Sequence, residues 1–428
     1  MNRINFRIFS GLSLIILAFP SCSAKKVIPV EKSKKEYVNI QVGTRLISTA
    51  KFTKNNTPVV PMWKADIPNA ELRSGAGFTV LNQAEHTLVW QPADATEGAY
   101  NHYACLIEYK GQLFAMWGNH SRGEDAPGQR VLFSRSDKWG SWTEAKELFP
   151  APGPVKSRSE KGIHLKPDRW AIVDDTLFAI TYVHGAGIYP IARSVDDNGN
   201  MGQPFLVSRQ PANGEFPVFM NDLPGRFTIP AVAHKIMSWY ATTNQVSWWA
   251  SADLGVPHKA VDGARLIESF TYKTKDSGYV MFLRNWGTNS NPTHNNRLYV
   301  CFSNELKNWG TAYPTDIPDS PSRAQAITLK DGTVLLIGNQ NVTELDKPVY
   351  IDRDPMTISV SHDGHTFSKV FAFRTASPSG FRIPGIGGRN PGYAYSSSII
   401  FNNELYTLYS VGKEDMAISR VALSALGL

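Results

Sequence analysis

Cysteine is almost missing from this chain: three in 428 residues leave no disulfide framework, and none is spaced with histidine as a zinc finger requires. Glycine-rich phosphate loops, a serine nucleophile elbow and an HExxH helix are absent too. Those absences remove P-loop nucleotide chemistry, α/β-hydrolase chemistry and zincin proteolysis. Long apolar runs are also lacking, since Leu12 to Phe19 is too short to span a bilayer. No nucleic-acid motif accompanies the formal charge of +7. Such a surface suits a polyanionic partner such as a uronate or sulfated glycan.

The N-terminus reads as an export signal. Arg3 and Arg7 precede the short apolar core, and Phe19-Pro20-Ser21-Cys22 has the form of a loose lipobox. Acylation of Cys22 would make the protein a membrane-anchored lipoprotein, periplasmic or on the cell surface. Residues 1–22 are then the signal peptide, 23–36 a polar tether, and 37–428 a single β-propeller domain. Cys105 and Cys301 fall inside apolar strands, which predicts buried free thiols.

What the chain has in quantity is repetition. A serine closing a short apolar run recurs at Ser134, Ser194, Ser251, Ser303, Ser361 and Ser419, a period near 58 residues. About 20 residues before most of them lies another apolar run, such as Leu113 to Trp117, Leu177 to Tyr182 or Ile236 to Tyr240, preceded by a turn signal. A third strand precedes that one. The unit is a blade of three strands plus a variable fourth, so the expected fold is all-β, a single propeller of four-stranded blades. Seven blades are favoured over six, the ring being closed by a strand from residues 37 to 95. The serines and the aromatics that follow them hold turns and blade packing.

In a propeller the first strand lines the channel, so its start and the end of the second strand share one face. His102 and His164 precede first strands, while His120 and His184 follow second strands. These four of ten histidines gather at the channel mouth of two adjacent blades. Imidazole titrates near neutrality, which suits proton transfer. With Tyr182 they are the candidate catalytic residues. Arg122, Tyr189, Arg193, Arg284 and Arg323 are the candidate substrate-binding residues, with arginine suited to a carboxylate or sulfate. No cofactor is required and no metal ligand set is assigned, although a structural or channel-bound cation is compatible with the histidines. A monomer is expected.

The turn Ser361-His-Asp363-Gly-His-Thr-Phe367 and its looser copies at Ser303 and Ser134 resemble the Asp-box of sialidase-like propellers. The paired histidines, His102 and His120, are similar to those of seven-bladed propeller lyases that cut ulvan and related rhamnose–glucuronate glycans. That resemblance implies β-elimination at a uronate. His120 or His102 would be the base, Arg122 or Arg193 would neutralise the enolate, and His164, His184 or Tyr182 would act as the acid. The alternatives are an exo-acting sialidase-like or rhamnosidase-like hydrolase and a glycan-binding lipoprotein without catalysis. Phe381-Arg382-Ile383-Pro384 matches a sialidase motif but comes too late in the chain, so it reads as coincidence.

Overall fold

The computed structural model describes residues 38–42, 45–49, 51–52, 57–69, 75–153, 162–185, 187–208, 216–242, 260–285, 296–306, 308–346 and 351–428. The lipobox, Cys22 and Ser251 lie outside them.

Alternating apolar residues and two-residue turns such as Lys110-Gly111 give antiparallel meanders, each a four-stranded sheet. Blade 1 comprises Tyr100–Tyr109, Gln112–His120, Arg130–Ser136 and Lys146–Phe149. Blade 2 comprises His164–Val173, Thr176–His184, Tyr189–Val195 and Phe205–Leu206. Blade 3 comprises Leu266–Lys273, Tyr279–Asn285, Arg297–Ser303 and Tyr313–Pro318. Blade 4 is built from Gln325–Thr328, Val334–Gly338, Met356–Ser361 and Lys369–Arg374, with Thr79–Val80 added in parallel at its edge. Tyr393–Phe401, Glu404–Val411 and Asp415–Ala422 form blade 5, whose fourth strand is the N-terminal Glu85–Trp90. That pairing is the predicted closure. It ties the two ends of the propeller together, with Ser419 opposite His86 and a 2.6 Å hydrogen bond between their side chains.

The described residues thus form five blades, a correction to the seven, or alternatively six, read from the period. One expected blade, from residues 37–95, instead supplies edge strands to blades 4 and 5, and the other is the unit that ends at Ser251, itself outside the described residues. Its expected strand, Ile236 to Tyr240, lies within the helix Ala231–Thr242. Apolar residues at Val232, Ala233, Ile236 and Trp239 recur at helical spacing, and they pack on Ala171, Phe178 and Ile180 of blade 2. A short apolar run fits either structure until its partners are known.

Apolar side chains fill the spaces between neighbouring blades. Phe114, Met116 and Phe133 of blade 1 meet Trp170, Leu177 and Ile191 of blade 2, while Trp117 and Leu132 meet Leu408 and Met416 of blade 5. Each fully buried side chain of this size contributes roughly 1.5–3 kcal/mol. Cys105 and Cys301 are buried free thiols, as the sequence implied.

Ser134, Ser194, Ser303, Ser361 and Ser419 lie on third strands, but their register varies. Ser361 donates to Asp363 (2.9 Å), whose Oδ1 accepts from the backbone of His365 and Thr366 at 2.8 Å each. Ser303 donates two residues ahead, to the Glu305 carbonyl. In blade 1 Ser136 plays that part, donating to the Lys138 carbonyl, while Ser134 bonds Thr143 instead.

Candidate functional site

The first strands of blades 1, 2, 3 and 5 each break register near the channel mouth, between His102 and Cys105, Pro167 and Arg169, Ile267 and Phe270, and Ala394 and Ser397. At three of these bulges one non-glycine residue is left-handed: Tyr103 (φ 63), Glu268 (φ 50) and Tyr395 (φ 60). Such backbone costs about 1 kcal/mol or more per residue and re-aims the side chain it carries.

Those three side chains make the centre of the site. Tyr395 donates its phenol proton to Glu268, and Arg284 bridges the pair, with Nη1 2.7 Å from Glu268 and 3.0 Å from the Tyr395 oxygen. Burial pushes the Tyr395 phenol well above its usual range, with the Glu268 charge adding to the effect. Burial also works to raise Glu268, but Arg284 and the Tyr395 hydrogen bond outweigh it and hold the carboxyl below its usual range. The pair is therefore a neutral phenol on an ionised base.

Further cations surround it. Arg353 is 3% exposed, sits 5.9 Å from the Tyr395 ring and donates Nη2 to the Pro321 carbonyl. Its Nε and Nη1 have no partner among the described residues. Arg323 is half-buried close to Glu268 and Asp168. Asp319 is 1% exposed, and neither carboxylate oxygen has a hydrogen-bond partner among the described residues. Burial lifts its pKa to about 7, against the opposing pull of Arg284 and Arg353.

A second tyrosine–carboxylate group adjoins the first. Tyr103 donates toward Asp125 (2.9 Å) and Glu124 (3.1 Å), both on the loop between the second and third strands of blade 1. Lys166 holds Asp125 and Lys413 holds Glu124, each at 2.8 Å. His102 lies against both tyrosine rings, with centroids 3.9 Å from Tyr395 and 4.8 Å from Tyr103.

The structure brings some of the sequence-derived residues to this centre and not others. His102, Arg284 and Arg323 are in it. His164 and His184 pair across two strands and stack at 5.3 Å, with His164 3.9 Å from Asp125. Tyr182 is buried in the same hairpin, opposite Lys166. His120 has both ring nitrogens occupied by its own loop: Nδ1 accepts from the Arg122 and Gly123 amides at 3.0 and 3.3 Å, and Nε2 lies 3.1 Å from the Pro127 carbonyl. Arg122 is exposed on that loop. Tyr189 is a correction: it is buried core, packed on Phe216 with ring centroids 6.2 Å apart. Arg193 is another, because it bonds the Gly202 and Leu148 carbonyls at 2.8 Å each as a strut between strands. Arg382 bonds the Pro92 carbonyl and Asp415 at 2.8 Å each, and neither partner belongs to the cluster. Among the described residues no group of His, Cys, Asp and Glu is disposed to hold a metal ion.

Glu268, Arg353 and Asp319 escaped the sequence reading. Laying the first strands side by side exposes the signal for Glu268, since His102-Tyr103, Ile267-Glu268 and Ala394-Tyr395 occupy one position in three blades.

A model of the BNR repeat-like domain matches residues 111–407. The chain belongs to that family. No curated protein matches the sequence. Among solved structures, a sialidase superposes with TM-score 0.62 at 15% identity over 85% of this chain, and the match spans only 35% of that longer protein. A mutant Trypanosoma rangeli sialidase displaying trans-sialidase activity aligns over 82% of this chain and 60% of its own at 10% identity, TM-score 0.42. A glycosyl hydrolase from Bacteroides ovatus aligns over 84% and 97% at 12% identity, TM-score 0.40. The BNR repeat-like match and the first superposition establish a sialidase-like Asp-box propeller. They lend no support to the ulvan-lyase resemblance.

Proposed function

We propose that this BNR repeat-like propeller is a retaining glycoside hydrolase acting on an acidic sugar. The observation that carries the reading is the Tyr395–Glu268–Arg284 triangle on left-handed backbone. A phenol hydrogen-bonded to an ionised carboxylate is a nucleophile with its base in place. It also suits an anionic sugar, because a neutral attacking oxygen avoids the repulsion a carboxylate nucleophile would meet. Tyrosine replaces carboxylate as the nucleophile in sialidases.

In the first step Tyr395 Oη attacks the anomeric carbon and its proton passes to Glu268, while the glycosidic bond breaks and the leaving oxygen takes a proton from Asp125. In the second, water attacks the anomeric carbon, gives a proton to Asp125 and releases the phenolate, which recovers its proton from Glu268. Arg353 and Arg284 take the substrate's anionic group. Asp125 suits the acid role by its place on the mouth loop and its partial exposure, with His164 beside it. Burial alone would raise its pKa, but Lys166, His164 and Tyr103 together keep it below the usual carboxylate range. Turnover of substrates with poor leaving groups should therefore rise toward acid pH.

A panel of 4-methylumbelliferyl glycosides of glucuronate, galacturonate and N-acetylneuraminate, assayed at pH 4–7, tests the reading. Hydrolysis of at least one, abolished in Tyr395→Phe, supports it. Formation of a 4,5-unsaturated uronate absorbing near ~235 nm without Tyr395 dependence would favour elimination by the histidines instead. Export is part of the same proposal: Cys22 is acylated, and Cys22→Ser should release the protein from the membrane fraction.

A further inference from the structure

His102 has one ring nitrogen partnered and the other unmet among the described residues. Its Nδ1 lies 2.9 Å from Ser410 Oγ, a hydroxyl that is also 3.2 Å from the Ala394 carbonyl. In the arrangement where Ser410 gives its proton to that carbonyl it accepts from His102, which then carries its proton on Nδ1 and leaves Nε2 a bare lone pair. Nε2 is fully enclosed and has no partner among the described residues. A buried acceptor left unmade carries its full desolvation penalty, which a ligand offering a donor would recover.

We infer that His102 Nε2 is the acceptor for a hydroxyl or amide N–H of the substrate, next to the anionic group that Arg353 takes. The inference rests on the acidic-sugar reading and sharpens it. His102 and Arg353 flank the same Tyr395 ring, at 3.9 and 5.9 Å. Both carry buried, unpartnered polar atoms of opposite demand, a lone pair on one and N–H donors on the other. A simple anion satisfies only Arg353, and a neutral sugar only His102. An acidic sugar with a neighbouring hydroxyl or acylamino group satisfies both. A proton-abstracting role fits less well, because an imidazolium here would face Lys413, Arg353, Arg284 and Arg323, which reinforce burial in holding His102 neutral.

The test is histidine-specific 15N NMR of the full chain, with His102→Gln assigning the resonance, titrated with free glucuronate, galacturonate and N-acetylneuraminate. The expected spectrum shows an Nδ1-protonated ring at pH 5–7 whose Nε2 signal moves when an acid sugar binds. An Nε2-protonated ring, or an Nε2 signal unmoved by any of the three, overturns the inference. On the glycoside that is turned over, His102→Leu should lower kcat/KM roughly 10- to 100-fold, mainly through KM, and His102→Gln should restore most of it. Turnover with an unmoved Nε2 sinks this inference alone. Sugar binding that moves Nε2 without any turnover sinks the hydrolase reading alone.

Discussion

Two tyrosines occupy equivalent left-handed positions in adjacent blades, and each donates to carboxylate, yet their surroundings differ. Tyr395 meets one carboxylate, Glu268, that a bridging arginine holds ionised. Tyr103 meets two, Glu124 and Asp125, each tied to its own lysine and both on a loop that reaches the surface. Position in the fold is thus shared, while the chemistry is set by what the bulge aims at. One pair is enclosed and preorganised for attack. The other is partly solvated, suited to exchanging protons with a leaving group or water.

Phenylalanine at each position breaks the comparison most sharply. Tyr395→Phe removes the nucleophile of the proposed mechanism and should lower kcat by about three orders of magnitude or more, whereas Tyr103→Phe should cost no more than tenfold because Asp125 keeps Lys166. Initial rates on one acidic aryl glycoside decide it, and equal losses would show that the two sites do not differ in role.

The carboxylates come next. Glu268→Gln leaves Arg284 without its ion-pair partner in a buried site, a change that typically destabilises by roughly 3–5 kcal/mol. Because the folded pKa of Glu268 is lowered, its contribution is present above the unfolded carboxylate range and vanishes as pH falls through the folded value. Thermal melts should therefore separate wild type from variant at pH 7 and converge in strong acid. Asp125→Asn leaves the buried Lys166 without its carboxylate and should also lower the melt at pH 7, by less than Glu268→Gln because Asp125 is partly exposed. It should slow a poor leaving group about 100-fold and an activated aryl glycoside far less, since only the former needs the proton.

How much of this could be read beforehand follows from the same contrast. Period-2 alternation and turn residues made strands such as Leu113 to Trp117 legible, and the N-terminal closure followed from counting them. The helix at Ala231–Thr242 was not, because its partners on blade 2 are distant in sequence. Histidines drew attention by falling at equivalent strand ends in two adjacent blades. Glu268 and Arg353 did not, because a lone glutamate or arginine at a strand end has no local signature. Only the bulge turns Glu268 toward Tyr395, and Arg353 reaches the ring from a loop of another blade.

The smallest effect on turnover, and the most specific in its pH dependence, belongs to Asp319. Its folded pKa of about 7 stands above the usual aspartate value of 3.8. Below 3.8 both folded and unfolded chains hold the proton, so the residue is neutral in each. Between 3.8 and about 7 the unfolded chain has released its proton while the folded chain retains it, and stability falls as pH climbs. Above that window the full penalty is present, on the order of a few kcal/mol. Asp319→Asn is uncharged throughout and keeps the shape, so it should melt higher than wild type at pH 8 and together with it below pH 4. Activity should change by only a few-fold, since Asp319 is enclosed. A wild-type melt that does not decline between pH 5 and 8 relative to the variant would mean that Asp319 is ionised in the folded chain. It would then balance Arg284 and Arg353, and their capacity for an anionic sugar would be smaller by one charge.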